Sequence, residues 1–406
     1  MVFVVYVAPN YTENALRFIE KLAALPDARL GLISQEPIEW LSPALQSRIV
    51  SFQRVESVFD IAQLLPAAKG LKERQGAIHR IIGAVEQVQV PVAQVREELG
   101  IEGMNVETML NFRDKSRMKD LLRAAGLPCA KHSLAADVAE ALHFAEEAGL
   151  PLVVKPPDGA AAQSTFKVTS IDELAAVLSQ SPPSHEKPLL LEEFITGTEH
   201  SFDAYSRDGL HLFYSISNYY PTPLEVLQEP WIQWQVVLPR EVEAPVYDDI
   251  RSAAFRTLDV LGMQTAMSHM EWFRRKDGSI AISEVAARPP GAQFTTLISR
   301  ANDFDSITAW ARLMIFGEFT PPTRQYAVGA AYLRGQGQGK VISVSGLDAV
   351  NREIGHLFTD VKIPKIGQDK APTYEGEGFI ILRHPDTAVV KEALELIVSK
   401  VQVRLG

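Results

Sequence analysis

The chain has 406 residues, 46% of them hydrophobic and 22% charged, which suits a globular protein of about two to four domains and excludes one dominated by disorder. With 40 basic against 50 acidic residues the net charge is −10, so an extended surface for nucleic acid is not expected, although local phosphate sites remain open. Cys129 is the single cysteine, which rules out an intrachain disulfide and a Cys-rich metal centre and makes a reducing compartment, the cytoplasm, the default expectation.

The first residues, MVFVVYVAP, carry no basic stretch before the apolar run and no small-residue cleavage pattern after it, so they read as a buried strand and not as a signal peptide. No apolar run reaches the ~20 residues needed to span a bilayer, and no membrane partner is expected. After residues 2–7, Asn10 and Thr12 offer helix caps to the periodic segment 14–25. Residues 30–34 and 48–52 then read as further strands, which predicts a parallel α/β domain over 1–112. No GxGxxG follows the first strand, so a dinucleotide-binding reading has little support.

From Asp114, DKSRMKDLLRAAGLP has helical spacing that stops at Gly126 and Pro128, and residues 138–149 repeat the pattern. In PLVVKPPDG a short strand, 152–154, delivers Lys155 to a turn, and GAAAQSTFKV returns to strand-like sequence. The apolar strand in 189–195 runs into Glu192 and Glu193. On the next strand Glu199, Ser201 and Asp203 alternate with His200, Phe202 and Ala204 as far as a turn at Asp208-Gly209. Residues 217–235, SNYYPTPLEVLQEPWIQWQ, fit either a substrate-facing lid or ordinary packing by Tyr219, Tyr220, Trp231 and Trp234. A composition shift at GEFTPP places the next boundary near 318. The expected domains are thus 1–112, 113–317 with lobes of about 113–190 and 191–317, and 318–406, where the helix over 387–401 reads as core packing.

The segment MSHMEWFRRKDGSIAISEVAARPP carries the most informative geometry. Two strand-like runs flank Asp277-Gly278, a signal for a two-residue type I′ turn. Lys276 then pairs with Ser279, Phe273 faces Ile282, His269 faces Ala286, and Glu271 faces Glu284. Directly opposed side chains lie about 4.5–5.5 Å apart at Cβ, where like charges repel. Two hard oxygen donors so placed suit Mg²⁺, which commonly takes one or two carboxylates and completes its shell with water and phosphate. The alternative is a solvated pair, or one neutralised by Arg274, Arg275 or Arg288. His269 extends the same face, and Arg288 continues it if the strand persists.

Taken together these stretches resemble the ATP-grasp superfamily of carboxylate ligases along essentially the whole chain. The motifs are Lys115 in FRDKSRMK, Lys155 in GLPLVVKPPDG, the strand and linker LLLEEFITGTEHSFD, and the acidic hairpin MEWF with SEVAARPPG. The resemblance implies an α/β and α+β protein: an N-terminal parallel α/β domain, a central two-lobed ATP-binding domain and a small C-terminal α+β domain. It implies ATP and Mg²⁺ or Mn²⁺ as cofactors, with Lys115 and Lys155 on the phosphates and residues 158–165, including Gln163 and Ser164, over them. Glu192, Glu193, Phe194 and Ile195 would form the adenine-side linker, Glu199 would meet the ribose, and Glu271 and Glu284 would hold the metal. Ala286 stands where many relatives carry Asn, so E-V-A-A-R looks more like the L-amino-acid ligases, or dipeptide synthetases, than like the related biotin carboxylase. His269 also fits the peptide-forming branch.

The expected activity is activation of a carboxylate by ATP and attack of an amine on the acyl phosphate, giving an amide or peptide bond, ADP and phosphate, with Arg288 and His269 as catalytic candidates. The expected partners are a small-molecule carboxylate and an amine, with a homodimer left open. The alternatives are a biotin-carboxylase-like or purine-pathway carboxylase and a non-catalytic nucleotide-binding regulator.

Overall fold

The protein is described by a computed structural model over residues 1–157, 165–229 and 232–406. Buried β-branched and aromatic residues make β1 (Val2–Ala8) a central strand. The following helix, Glu13–Ala23, is capped by the Thr12 hydroxyl accepting the Ala15 amide. β2 (Ala28–Ser34), β3 (Ile49–Arg54) and β4 (Arg80–Ile82) complete a parallel sheet in the order β3-β2-β1-β4. A second sheet is antiparallel, in the order β5-β8-β6-β7, and is built from β5 (His132–Ala135), β6 (Leu152–Lys155), β7 (Phe166–Val168) and β8 (Leu189–Glu193). Phe144, Leu174 and Leu178 from two helices fill one face of it.

The long hairpin of β9 (Gly197–Arg207) and β10 (Leu210–Tyr220) turns at Asp208-Gly209, both with positive φ, as a type I′ turn requires. With β11 (Gln235–Leu238), β12 (Ala266–Arg275) and β13 (Ile280–Ala286) it forms the start of an eight-stranded sheet. The C-terminal part supplies β14 (Ala327–Leu333), β15 (Gly335–Gln336), β16 (Val341–Ser345), β17 (Phe358–Lys362), β18 (Gly378–His384) and β19 (Gln402–Leu405). The large sheet runs β13-β12-β9-β10-β11-β14-β18-β17, and a small one runs β15-β19-β16. Because β11 pairs directly with β14, the large sheet passes residue 318 without a break. Helix Thr387–Lys400 buries Val390, Ala393, Leu394 and Ile397, and lies so close to β14 that a Cβ at Gly329 would meet Leu394 at 2.7 Å and Val390 at 2.8 Å. Among the described residues no helix is long and apolar enough to cross a membrane.

The β12–β13 hairpin corrects part of the expected register. The turn is not the two-residue type: the Gly278 amide donates to the Arg275 carbonyl and the Arg275 amide to that of Ser279, enclosing a three-residue loop with Gly278 at φ 87°. Trp272, not Phe273, therefore stands opposite Ile282. A bulge at Ser283 inserts one extra residue and restores the expected pairing beyond it, Glu271 opposite Glu284 and His269 opposite Ala286.

Candidate active site

Lys115, Lys155, Glu271, Glu284 and Arg288 all line one cavity of about 480 Å³. Helix Lys115–Ala124 starts at Asp114, whose carboxylate accepts the Ser116 and Arg117 amides. Lys115 and Lys119, four residues apart, project from the same side. Lys119 is fully buried; its Nζ donates to the Ser283 carbonyl at 2.6 Å and lies 2.7 Å from Glu192 Oε1. The other Glu192 oxygen is 2.8 Å from Lys155 Nζ. Burial alone would raise the Glu192 pKa, but the two ammonium groups pull it down to about 2. The bulge thus has a visible purpose: the carbonyl of its extra residue faces the buried lysine.

Lys115 Nζ is 3.1 Å from Glu284 Oε1. Burial opposes ionisation of Glu284, yet Lys115 and Lys155 hold it below the usual carboxylate range. Across the hairpin, Glu271 Oε1 is 3.7 Å from His269 Nε2, and His269 Nδ1 is 2.6 Å from the buried Asp203. Burial lowers the His269 pKa, but Asp203 and Glu271 more than reverse this and raise it to about 9. Ser201 donates to Asp203 at 2.9 Å, so a polar row continues across the sheet floor. Glu199 lies on the same face, and burial with Glu271 and Glu225 nearby raises its pKa well above the usual value. A carboxyl shifted in that direction leans towards its neutral form, which can donate as well as accept a hydrogen bond and suits contact with hydroxyl groups.

The donor set fits a hard divalent ion. Glu271 and Glu284 stand directly opposite each other, each answered by a cation that phosphate or metal could displace. Among the described residues no group of three or more His, Cys, Asp or Glu could hold a metal, so two carboxylates leave most of an octahedron to water and phosphate oxygens, as Mg²⁺ prefers.

β13 ends at Ala286, so Arg288 reaches the cavity from the loop beyond the strand and not along its face. Its Nη2 and Nε donate to Glu86 Oε2 at 2.7 and 3.2 Å, and its Nη1 donates to the Pro289 carbonyl at 3.0 Å. Arg113 Nη1 stands 3.4 Å from the other Glu86 oxygen. Glu86, which follows β4 of the parallel sheet, thereby ties Arg288 to the residue two before Lys115.

Val153, Phe194, Ile195 and Phe273 also line the cavity and supply apolar surface suited to a planar base. Glu193 turns away to Arg275, 2.6 Å distant, so it braces the linker. Gln163 and Ser164 lie outside the described residues, as do Trp231 and most of the expected phosphate-covering loop. Tyr219 and Trp234 from the 217–235 segment are buried, their rings 5.5 Å apart, and both line the cavity. The sequence reading missed Lys119, Asp203, Glu86, Tyr374 and Glu375 as part of this site. Lys119 left a signal in its i+4 spacing from Lys115, and Asp203 in its alternation with Glu199 and Ser201.

A family model described as ATP-grasp domain matches residues 148–297. Residues 148–297 are thus similar to an ATP-grasp domain. The ATP-grasp match takes in Lys155, Glu192, Glu271, Glu284 and Arg288, while Glu86 and Lys115 reach the cavity from outside it and Lys119 lies buried behind Glu192. The chain is 26% identical over 230 residues to an L-arginine-specific L-amino acid ligase of Bacillus subtilis, covering 55% of each protein. It is 25% identical over 248 residues to an alanine–anticapsin ligase of Bacillus subtilis strain 168, covering 56% of this chain and 52% of that one. It therefore spans about half the length of these curated relatives. The fold is that of an L-amino acid ligase from Bacillus licheniformis, with a TM-score of 0.80 at 17% identity over 100% of this chain and 99% of the other.

Proposed function

We propose that the protein is an ATP-dependent carboxylate–amine ligase that joins amino acids through an acyl phosphate and releases ADP and phosphate. The observation that carries this reading is the meeting, in one cavity, of two lysines, a cross-strand carboxylate pair and an arginine held at its edge. The names of the relatives support amino acids as the substrate class.

Lys115 and Lys155 would contact the ATP phosphates, each giving up part of its present pairing with Glu284 or Glu192. Glu271 and Glu284 would hold Mg²⁺, which supplies neutralisation of phosphate charge. Arg288 would orient the substrate carboxylate so that one of its oxygens attacks the γ-phosphorus in line and ADP leaves. The amine, uncharged when it attacks, then adds to the acyl carbon, the carbon–oxygen bond to phosphate breaks, and a proton leaves the new amide nitrogen. Arg288 would face the negative charge that develops on the carbonyl oxygen. His269 is an imidazolium at neutral pH by virtue of Asp203, so its part is electrostatic, balancing Glu271.

Phosphate release measured with ATP, Mg²⁺ and a matrix of amino-acid pairs tests the reading. Release that requires two amino acids, with a dipeptide found by mass spectrometry, is the expected result. Release that requires bicarbonate alone would assign the protein to the carboxylases instead, and nucleotide binding without turnover on any acid would favour the regulator.

A further inference from the structure

Beyond the carboxylates already described, the cavity receives that of Glu375. Glu375 lines the cavity from the loop before β18, and among the described residues it makes no hydrogen bond or ion pair. That loop is braced on both sides of it. Glu377 is buried, and its two oxygens accept the Gly335 and Ala371 amides at 2.6 and 2.8 Å. Gly376 has φ 65° and approaches so closely that a Cβ there would stand 2.7 Å from the Leu333 carbonyl. On the other side the Tyr374 ring meets Trp234 edge-on at 4.7 Å. A carboxylate set between two such anchors is presented to the cavity by the fold and does not merely trail into it.

A run of ring contacts leads from beside Glu375 to the reacting groups: Tyr374 meets Trp234, Trp234 lies 6.3 Å from Phe294, and Phe294 lies 5.6 Å from His269. Burial raises the Glu375 pKa, partly opposed by Lys362 and added to by Glu13, at the start of helix Glu13–Ala23. Those two already pair with each other at 2.5 Å. Tyr219 packs on Trp234 and Phe294 of that run, 5.5 and 5.8 Å away, and all four rings line the cavity, which suits a methylene stem with a cation at its tip.

Resting on the ligase reading, we propose that Glu375 is a specificity residue that receives the positively charged side chain of a basic amino-acid substrate. An α-ammonium, only two bonds from the reacting carboxyl carbon, would remain near Arg288 and the metal pair, whereas a lysine or arginine side chain can extend along the aromatic walls towards Glu375.

Calorimetric titration of the full chain with L-arginine, L-lysine, L-leucine and L-glutamate tests this without requiring turnover. The basic amino acids are expected to bind about 10- to 100-fold more tightly than leucine, the scale of a sheltered charge-assisted hydrogen bond. Glu375→Gln should erase that preference, Glu375→Asp should keep part of it, and Glu375→Lys should turn it towards glutamate. The proposal is overturned if basic and neutral amino acids bind alike, if none binds, or if Glu375→Gln weakens all of them equally. Phosphate release on the same proteins separates the two readings: selective binding without release defeats the ligase and leaves Glu375 as the cation site, while release without selectivity does the opposite.

Discussion

Arg288 has five N–H donors and uses three of them on Glu86 and the Pro289 carbonyl, leaving two without a partner among the described residues. Its orientation is therefore fixed before any substrate arrives, which is what electrostatic stabilisation of a developing charge demands. Arg288→Ala should lower turnover by about 10²- to 10³-fold while nucleotide affinity stays nearly intact, the scale for losing one transition-state donor; steady-state phosphate release with nucleotide titration checks both halves. Lys119 has a different task, because its ammonium is wholly enclosed between Glu192 and a backbone carbonyl. Lys119→Met should cost about 3 kcal/mol of stability in urea unfolding, since it leaves Glu192 with Lys155 alone and Ser283 without its donor. A variant as stable as the parent would show that Lys119 is dispensable to the fold. Both roles depend on partners far away in the chain: Glu86 is separated from Arg288 by 202 positions, and no local pattern announces it.

At the scale of the element, the β12–β13 hairpin brings its two glutamates face to face through two offsetting irregularities. The three-residue loop shifts the register by one, and the bulge at Ser283 shifts it back. Turn residues and alternation made the carboxylate pairing legible in the sequence, but not the route to it, because an Asp-Gly can close either loop and a bulge depends on what the extra residue meets. Here that is Lys119, a group on a distant helix. Deleting Ser283 should therefore leave Glu271 opposite Glu284, preserving Mg²⁺-dependent nucleotide binding, while removing the Lys119 acceptor at about 1 to 3 kcal/mol. Chemical unfolding alongside nucleotide titration at varied Mg²⁺ reads the two effects apart; loss of the Mg²⁺ dependence would mean that the bulge itself sets the pair. The same logic of local pattern explains why β1, the helix after it and the β9–β10 turn were foreseeable: capping, apolar runs and turn chemistry act over a few residues.

At the scale of the molecule, the large sheet joins residues on both sides of the 318 boundary, with β14 on β11 and β18 beyond it. A chain ending at residue 317 would expose the β11 edge by losing β14 and uncover Trp234 where Tyr374 now meets it. Such a fragment is expected to aggregate; size exclusion and thermal circular dichroism would contradict this if they found a monomer with a cooperative transition. The same continuity carries the C-terminal loop, with Tyr374 and Glu375, into a cavity otherwise built from the two preceding parts.

The sequence by itself determined the parallel N-terminal sheet and the facing pair Glu271 and Glu284, because each depends on periodicity, capping or turn chemistry at short range, while Lys115 and Lys155 came from the resemblance. Only the tertiary structure decided that Glu86 holds Arg288, that Asp203 keeps His269 charged, that Lys119 answers the bulge and that Glu375 reaches the cavity. Those are contacts between elements distant in sequence, and their energy comes from desolvated charges meeting across the fold, which no local pattern encodes.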